Sequence, residues 1–431
     1  MTEGDRLIGE FVAGRFVDAA TGRAVPSPVK AVALADSLDG AEARLLRESG
    51  IAGRVAVVCD ATTYDVLGRR VIRALGDVET IVLDRPHADE EDAARLAELA
   101  RHADALVAVG SGTLNDLCKY VTFRDGRRCA VFATAPSMNG YVTSTASITR
   151  DGMKLSLPTH APVGVFCDLA ILAAAPKHMI RAGIGDALCR SSAQIDWLMS
   201  HVVFGTAYSD VGYALQAPDE PLLLETAHAA VAGDLAAVAT LVRVLTLCGF
   251  GVCVTGTSHL GSMGEHSISH YVDMFADPHP GTLHGEQVGV ATRSMTRLQE
   301  QLLALDALPP LSATTVDEPA MRARYGRAAE ACIKALRAKA LSAADADRVN
   351  RRIEREWPAL RRRLQTLILP LARLDAVMAR AGVLATGEAL GLQPAFWREA
   401  VGHAHEIRDR WSFLDLAAHT GLLDAFVAGE R

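Results

Sequence analysis

Between about residues 30 and 175, short apolar runs alternate with stretches patterned at helical spacing. The runs 55–59 (VAVVC), 80–83 (TIVL), 105–109 (ALVAV) and 130–134 (AVFAT) are continuous rather than alternating, which predicts strands buried on both faces of a parallel sheet. The stretches 65–75, 89–101 and 114–121 predict connecting helices, and the alternation predicts an open α/β sheet. Residues 1–30 read as a polar lead-in with a small hairpin within 9–22. From Pro176, suited to a first helical turn, the texture changes. Long helical patterns cover 176–200, 222–248, 285–304, 318–340 and 343–365, with two or three more ending near 428, and the Pro- and Ser/Thr-rich 308–319 reads as a loop. The expected architecture is an α/β, Rossmann-like nucleotide-binding domain over 1–175 followed by an all-α domain over 176–431. A crevice between two such domains is a common ligand site.

Composition narrows the function. Half of the 431 residues are hydrophobic and 22% are charged, which excludes general disorder. A formal charge of -7 excludes a nucleic-acid backbone as the main partner. The eight cysteines form no CxxC pair and sit mostly in apolar runs, as expected of reduced, buried thiols in the cytoplasm. The N-terminus shows no basic region followed by an apolar one, so no secretory signal is expected. The most apolar helical stretch, 235–248, is interrupted by Arg243 and is too short for a bilayer, so it reads as a core helix and no membrane partner is expected.

Two constellations carry chemistry. In ALVAVGSGTLNDLCK a buried strand runs through Gly110, Ser111 and Gly112 directly into a helix. Glycines permit close approach of a ligand to the backbone, and the free N–H groups of a helix start favour an anion. The third glycine of a dinucleotide fingerprint is missing; Thr113, Asn115 and Asp116 add polar side chains around the turn. Asp60 ends the run VAVVC, where it either meets an adenosine ribose or caps a turn. The second constellation is GEHSISH, which sets His266 and His270 one helical turn apart, with His284 following in LHGEQ. Asp186 lies in the helical run MIRAGIGDALCR beside two glycines that allow close approach. One carboxylate and two neutral imidazoles suit a divalent transition metal with a position left open for substrate.

The segments GSGTLNDLCKY, TAPSMNGYVT, RAGIGDALCR, GEHSISH and LHGEQVGV, in that order, resemble the sn-glycerol-1-phosphate dehydrogenases, in the superfamily of iron-containing alcohol dehydrogenases, glycerol dehydrogenases and dehydroquinate synthases. The final IRDRWSFLDLAAHTGLL is similar to the end of the bacterial members, so the resemblance runs from about residue 30 to 425. It implies a dehydroquinate synthase-like fold and a metal-dependent, NAD- or NADP-linked interconversion of dihydroxyacetone phosphate and glycerol 1-phosphate, or of a related polyol and ketone. By the same resemblance, Gly110, Ser111 and Gly112 hold the pyrophosphate with Thr113 and Asp116 beside them. Asp60 faces the ribose, and Thr134 and Ser137 line the nicotinamide side. Asp186, His266 and His284 bind the metal (zinc, with nickel and iron as alternatives), His270 relays a proton, and Lys154 stands on the substrate side. The relatives imply a homo-oligomer, a dimer or larger, acting on a small molecule.

Two departures bear on substrate. Asn139 stands where many relatives have an acidic residue that contacts the polyol, and His259 stands where they have an arginine. A histidine grips phosphate only when protonated, so Asn139 and His259 are the substrate-side positions at which recognition is expected to differ. The competing readings are a dehydroquinate-synthase-type lyase or cyclase using NAD transiently, and a non-catalytic binding protein on the same scaffold. The aspartate at 186 and the helical tail argue against the first, and the full ligand set against the second.

Overall fold

The computed structural model describes residues 2–19 and 21–430. Six parallel strands form its main sheet: β1 (Ala31–Ala35), β2 (Val55–Asp60), β3 (Glu79–Leu83), β4 (Ala105–Gly110), β5 (Arg128–Ala133) and β6 (Gly164–Asp168), in the order β1-β6-β5-β4-β2-β3. The four expected strands fill one side and the centre. All six residues of β4 are buried, as a continuous apolar run in a parallel sheet requires. The chain leaves β2 toward β3 and leaves β4 toward β5, so succession along the sheet reverses between β2 and β4. Such a switch point opens a crevice at the carboxyl ends of the strands, where open α/β sheets hold ligands. Asp60 and the Gly110–Gly112 turn flank it.

The lead-in is more ordered than expected. Glu3–Val12 is a helix with a capping box between Thr2 and Asp5, and only the short ribbon Val17–Asp18 with Arg23–Ala24 matches the expected hairpin. Phe11 is fully buried and stacks on Phe250 at 4.1 Å.

The chain divides into two compact units, and the division departs from 175/176. Unit one takes 1–150, 154–187 and 209–257, and unit two takes 151–153, 188–208 and 258–431. The change in composition at Pro176 marks where helices begin, whereas the contacts keep two further helical segments with the sheet. Along the chain, α1 (Gly112–Asp125) follows β4, α2 (Lys177–Leu188) follows the sheet, and a two-stranded ribbon joins Thr145–Arg150 to Met153–Pro158. The expected helix over 176–200 is broken at Cys189, where α3 (Arg190–Phe204) begins in unit two.

The apolar helix α4 (Leu235–Thr255) has 21 residues, longer than the 235–248 stretch suggests and enough by length and composition to cross a membrane. It is a core helix: 83% of its most apolar window is buried inside the protein. Arg243 on it is held by Asp219, Nη2 to Oδ1 at 2.8 Å and Nε to both carboxylate oxygens at 3.1 Å, so the buried charge is paired.

Unit two is helical. Its site-bearing elements are α5 (Gly264–Phe275), α6 (His284–Leu303) and, near the chain end, α7 (Phe413–His419). Buried Asp196 on α3 ties them together, accepting from Gly264 N–H, Phe413 N–H and Gln299 Nε2, each at 3.0 Å. Burial, with Glu265 nearby, pushes its carboxyl well above the usual range.

Candidate active site

In unit one, the turn between β4 and α1 is shaped by contact. A Cβ at Gly110 would lie 2.3 Å from Leu114 Cδ1, and one at Gly112 would lie 2.9 Å from Met138 Sδ. Gly110 O accepts Thr134 N–H at 3.1 Å, so Thr134, at the end of β5, is tied directly to the turn. Ser111 caps the helix with extended backbone but its side chain makes no capping bond. The first-turn N–H groups of α1 therefore lack an intrahelical acceptor and have no side-chain cap there, and they suit an anion. Asn115 is 1% exposed and its Oδ1 has no hydrogen-bond partner.

Asp60 does cap a turn. Its Oδ1 accepts Thr63 N–H at 2.8 Å and Thr63 Oγ1 accepts Asp60 N–H at 3.0 Å, while the side chain keeps partial exposure at the end of β2.

Asp116 is committed to the protein. It accepts Ser147 N–H at 2.8 Å and Asn115 Nδ2 at 3.1 Å, and it pairs with Lys119 Nζ at 3.0 Å. Lys119, which the sequence reading passed over, is fully buried and donates to Gly140 O at 2.9 Å and Thr145 O at 2.5 Å. The pair braces α1 against the 140–147 loop. The i, i+3 spacing of Asp116 and Lys119 in NDLCK was the available signal. Lys154 lies on the strand Met153–Pro158, partly exposed.

The segment 134–143 is gripped from two helices. A Cβ at Gly183 on α2 would lie 1.7 Å from Pro136 O, and one at Gly249 on α4 would lie 2.8 Å from Asn139 O. One turn beyond Gly183, Asp186 Oδ2 accepts Asn139 N–H at 2.8 Å. Asn139 thus meets the aspartate through its backbone. Ser137 is partly exposed beside it, and Tyr141 Oη donates to Ala135 O at 2.8 Å.

Unit two brings three histidines together. The ring centroids of His266 and His284 are 4.9 Å apart, those of His270 and His284 6.0 Å, and those of His266 and His270 6.5 Å. Their tautomers follow from their partners. His266 Nδ1 faces Glu265 Oε1 at 3.0 Å. Burial pushes the Glu265 carboxyl up, but the hydrogen bond and charge interaction with His266 and backbone N–H groups outweigh it and hold it below the ordinary value. A carboxylate only accepts, so His266 Nδ1 carries the proton. On α6, Gln287 Nε2 donates to Asp273 Oδ1 at 3.0 Å, which orients the amide, and Gln287 Oε1 accepts the Ser269 hydroxyl at 2.8 Å. With its proton spent, Ser269 Oγ accepts from His284 Nδ1 at 3.1 Å. When neutral, both imidazoles therefore carry their lone pair on Nε2, the state a metal ligand needs. Glu265, Ser269 and Gln287 lie inside the motifs GEHSISH and LHGEQ, and the sequence reading took only the histidines from them. Cys189, Glu265 and His266 also offer ligand atoms within 4.8 Å of one another. Glu265 is engaged by His266 and by Met263 N–H at 2.7 Å, so it orients rather than ligates.

His259 differs from the expectation of a protonatable phosphate grip. Burial first, then the charges of Arg410 and Arg408, pushes it down to about 3, so the free protein carries it uncharged at neutral pH. Its ring packs 5.7 Å from that of Trp197.

Residues 34–176 match the family described as iron-containing alcohol dehydrogenase. A glycerol-1-phosphate dehydrogenase of Halalkalibacterium halodurans, named for NAD(P)+, is 33% identical over 265 residues, 59% of this chain and 66% of that one. The Bacillus velezensis protein of the same name is 31% identical over 59% of this chain and 68% of its own length. The chain belongs to the glycerol-1-phosphate dehydrogenase family. The Bacillus licheniformis member aligns over 92% of this chain and 91% of its own at 27% identity, so the family relation extends through the helical half. Among solved structures, a probable glycerol dehydrogenase from Sinorhizobium meliloti matches with a TM-score of 0.59 at 20% identity over 91% of this chain and 95% of that one, which shows the shared fold.

Proposed function

We propose that this family member interconverts dihydroxyacetone phosphate and sn-glycerol 1-phosphate with NAD(P) and one divalent ion. The observation that supports it best is the pair of imidazoles whose Nδ1 protons are fixed by Glu265 and Ser269, inside a family whose named members act on glycerol 1-phosphate. The donor set fits a borderline-soft divalent ion such as zinc. Asp186, His266 and His284 each offer one ligand atom, with nickel and iron the alternatives. Held there, the ion supplies Lewis-acid stabilisation of charge on the ketone oxygen, and the nicotinamide supplies the hydride.

The remaining work falls to the chain. Backbone N–H groups of the Gly110–Gly112 turn and of Thr113 receive the pyrophosphate, and Asn115 Oδ1 offers an acceptor beside them. Asp60, at the switch point, faces the ribose and favours NAD, because a carboxylate repels a 2′-phosphate. Thr134 and Ser137 line the nicotinamide side, and Asp116 holds the turn through Lys119. His270 delivers the proton to the alkoxide in reduction and removes it in oxidation. Asn139 and Lys154 stand on the substrate side. Seven of the eight cysteine thiols are buried, as reduced thiols of a cytoplasmic protein would be. Oxidation of NADH by the purified protein with dihydroxyacetone phosphate tests the reading. Zinc content and turnover lost together in Asp186→Ala and His266→Ala support the ligand set, and full metal stoichiometry in either variant overturns it.

A further inference from the structure

Two arginines in unit two lack the carboxylate partner that Arg70, Arg243 and Arg324 have. Arg70, Arg243 and Arg324 each hold a buried or half-buried carboxylate. Arg408 and Arg410, on the stretch between Ala404–Glu406 and α7, meet no carboxylate within 4.0 Å among the described residues. Arg408 Nη1 donates to Ser262 Oγ at 3.2 Å. Arg410 donates from Nη2 to Ser258 Oγ at 2.6 Å and from Nη1 to Ser262 O. A guanidinium has five N–H donors, so most of the ten are left for a ligand. Both side chains keep partial exposure, and Asp409 between them is exposed. Protein crowding pushes Arg408 down to about 10 and Arg410, which also feels Arg408, well below its ordinary value. Asp409 and Glu265 offset part of their charge from a distance, but neither pairs with a guanidinium, and two neighbouring cations without a direct ion pair suit an anion.

The stretch is fixed in place. Buried Lys339 donates to Arg410 O at 3.0 Å and pairs with Asp415 at 2.6 Å, and Ser412 with Asp415 forms the capping box of α7. The arginines grip residues 258 and 262, on the turn that leads into α5 and His266. His259 on the same turn is uncharged, so the positive charge its position lacks is supplied from the chain end.

We propose that Arg408 and Arg410 form the subsite for the phosphomonoester of the substrate, clamping it with paired N–H groups while Ser258 and Ser262 hold the guanidiniums in place. This rests on the reading of the substrate given above. A planar fork suits phosphate in a way that lysine does not.

The test compares Arg408→Gln, Arg410→Gln and Arg410→Lys with the parent holoenzyme. The kcat/KM ratio of dihydroxyacetone phosphate over unphosphorylated dihydroxyacetone is expected to fall about 30-fold or more in each Gln variant, and about 10-fold in the Lys variant. An equal loss on both ketones would show a structural role and overturn the subsite, as would an unchanged ratio. Inorganic phosphate gives a readout independent of turnover. It is expected to raise the Tm of the parent and not of the double Gln variant, even if neither ketone proves to be the substrate. No shift in the parent, or the same shift in both proteins, would overturn the proposal.

Discussion

Replacing Glu265 by glutamine tests whether the tautomer of His266 and the charge behind it matter for metal affinity. Glu265 is fully buried, and its Oε1 alone accepts both Met263 N–H at 2.7 Å and His266 Nδ1 at 3.0 Å. In Glu265→Gln the amide oxygen can keep both bonds, with Nε2 turned toward Ser192 Oγ, which now faces Oε2 at 3.5 Å. The tautomer survives and only the charge is lost. Partners behind ligating histidines contribute about 10–100-fold to metal affinity, and retaining the hydrogen bond puts this variant near the lower end, about 1.4 kcal/mol. Glu265→Ala loses both the orientation and the acceptor for Met263 N–H, so it belongs near the upper end, about 2.7 kcal/mol. Competition of the apoprotein with a chromophoric chelator for Zn²⁺ at neutral pH measures both, with circular dichroism as the check on folding. Zinc affinities within twofold of the parent in both variants would refute the reasoning.

Other expectations follow from the same geometry. Ser269→Ala removes the acceptor of His284 Nδ1–H and is expected to weaken zinc binding about 10-fold in the same titration. Lys119→Met leaves Asp116 buried without its cation and is expected to lower stability by about 3–5 kcal/mol in urea unfolding, with part of the loss recovered when Asp116→Asn is added. Gly183→Ala forces a Cβ against Pro136 O and is expected to lower Tm by several degrees, while Gly9→Ala, with nothing within 4 Å, is expected to leave Tm unchanged or raise it slightly. Glu406 is pushed up by burial, but hydrogen bonds with His403 and Tyr325 and nearby histidine charge hold it at about 2. A depressed carboxyl stabilises the fold above its unfolded value and loses that contribution as pH falls through the folded one. His405 is uncharged near pH 7, so Glu406→Gln is expected to cost at most about 3 kcal/mol there, a deficit that shrinks below about pH 4.5 and vanishes near pH 2, read from denaturant melts across that range.

The central sheet was legible because β2, β4 and β5 are buried on both faces and therefore written as unbroken apolar runs. The edge strand β1 reads AVALA and β6 reads GVFCD. Alanine and glycine carry little strand preference, and Pro26, Pro28 and Pro162 precede them, so neither stood out. Glu3–Val12 was hidden by its polar face, although Thr2, Asp5 and the apolar Leu7, Ile8 and Phe11 spell a capped amphipathic helix. At the site, the histidines announce themselves by spacing. Glu265, Ser269 and Gln287 act through hydrogen bonds between helices, which no local pattern reveals. Arg408 and Arg410 look like solvated charges in IRDRW, and only three-dimensional packing shows that they are crowded without a direct ion pair.

The missing side chain at Gly183 links two pieces of the chemistry mechanically. Because α2 lies with its backbone against Pro136, and Asp186 takes the amide proton of Asn139 three residues on, the helix and the 134–140 segment have no room to slide independently. On the reading proposed above, a group seated against Thr134 and Ser137 would be linked to the aspartate through this strut of unit one, and dinucleotide and ion would sense each other's arrival.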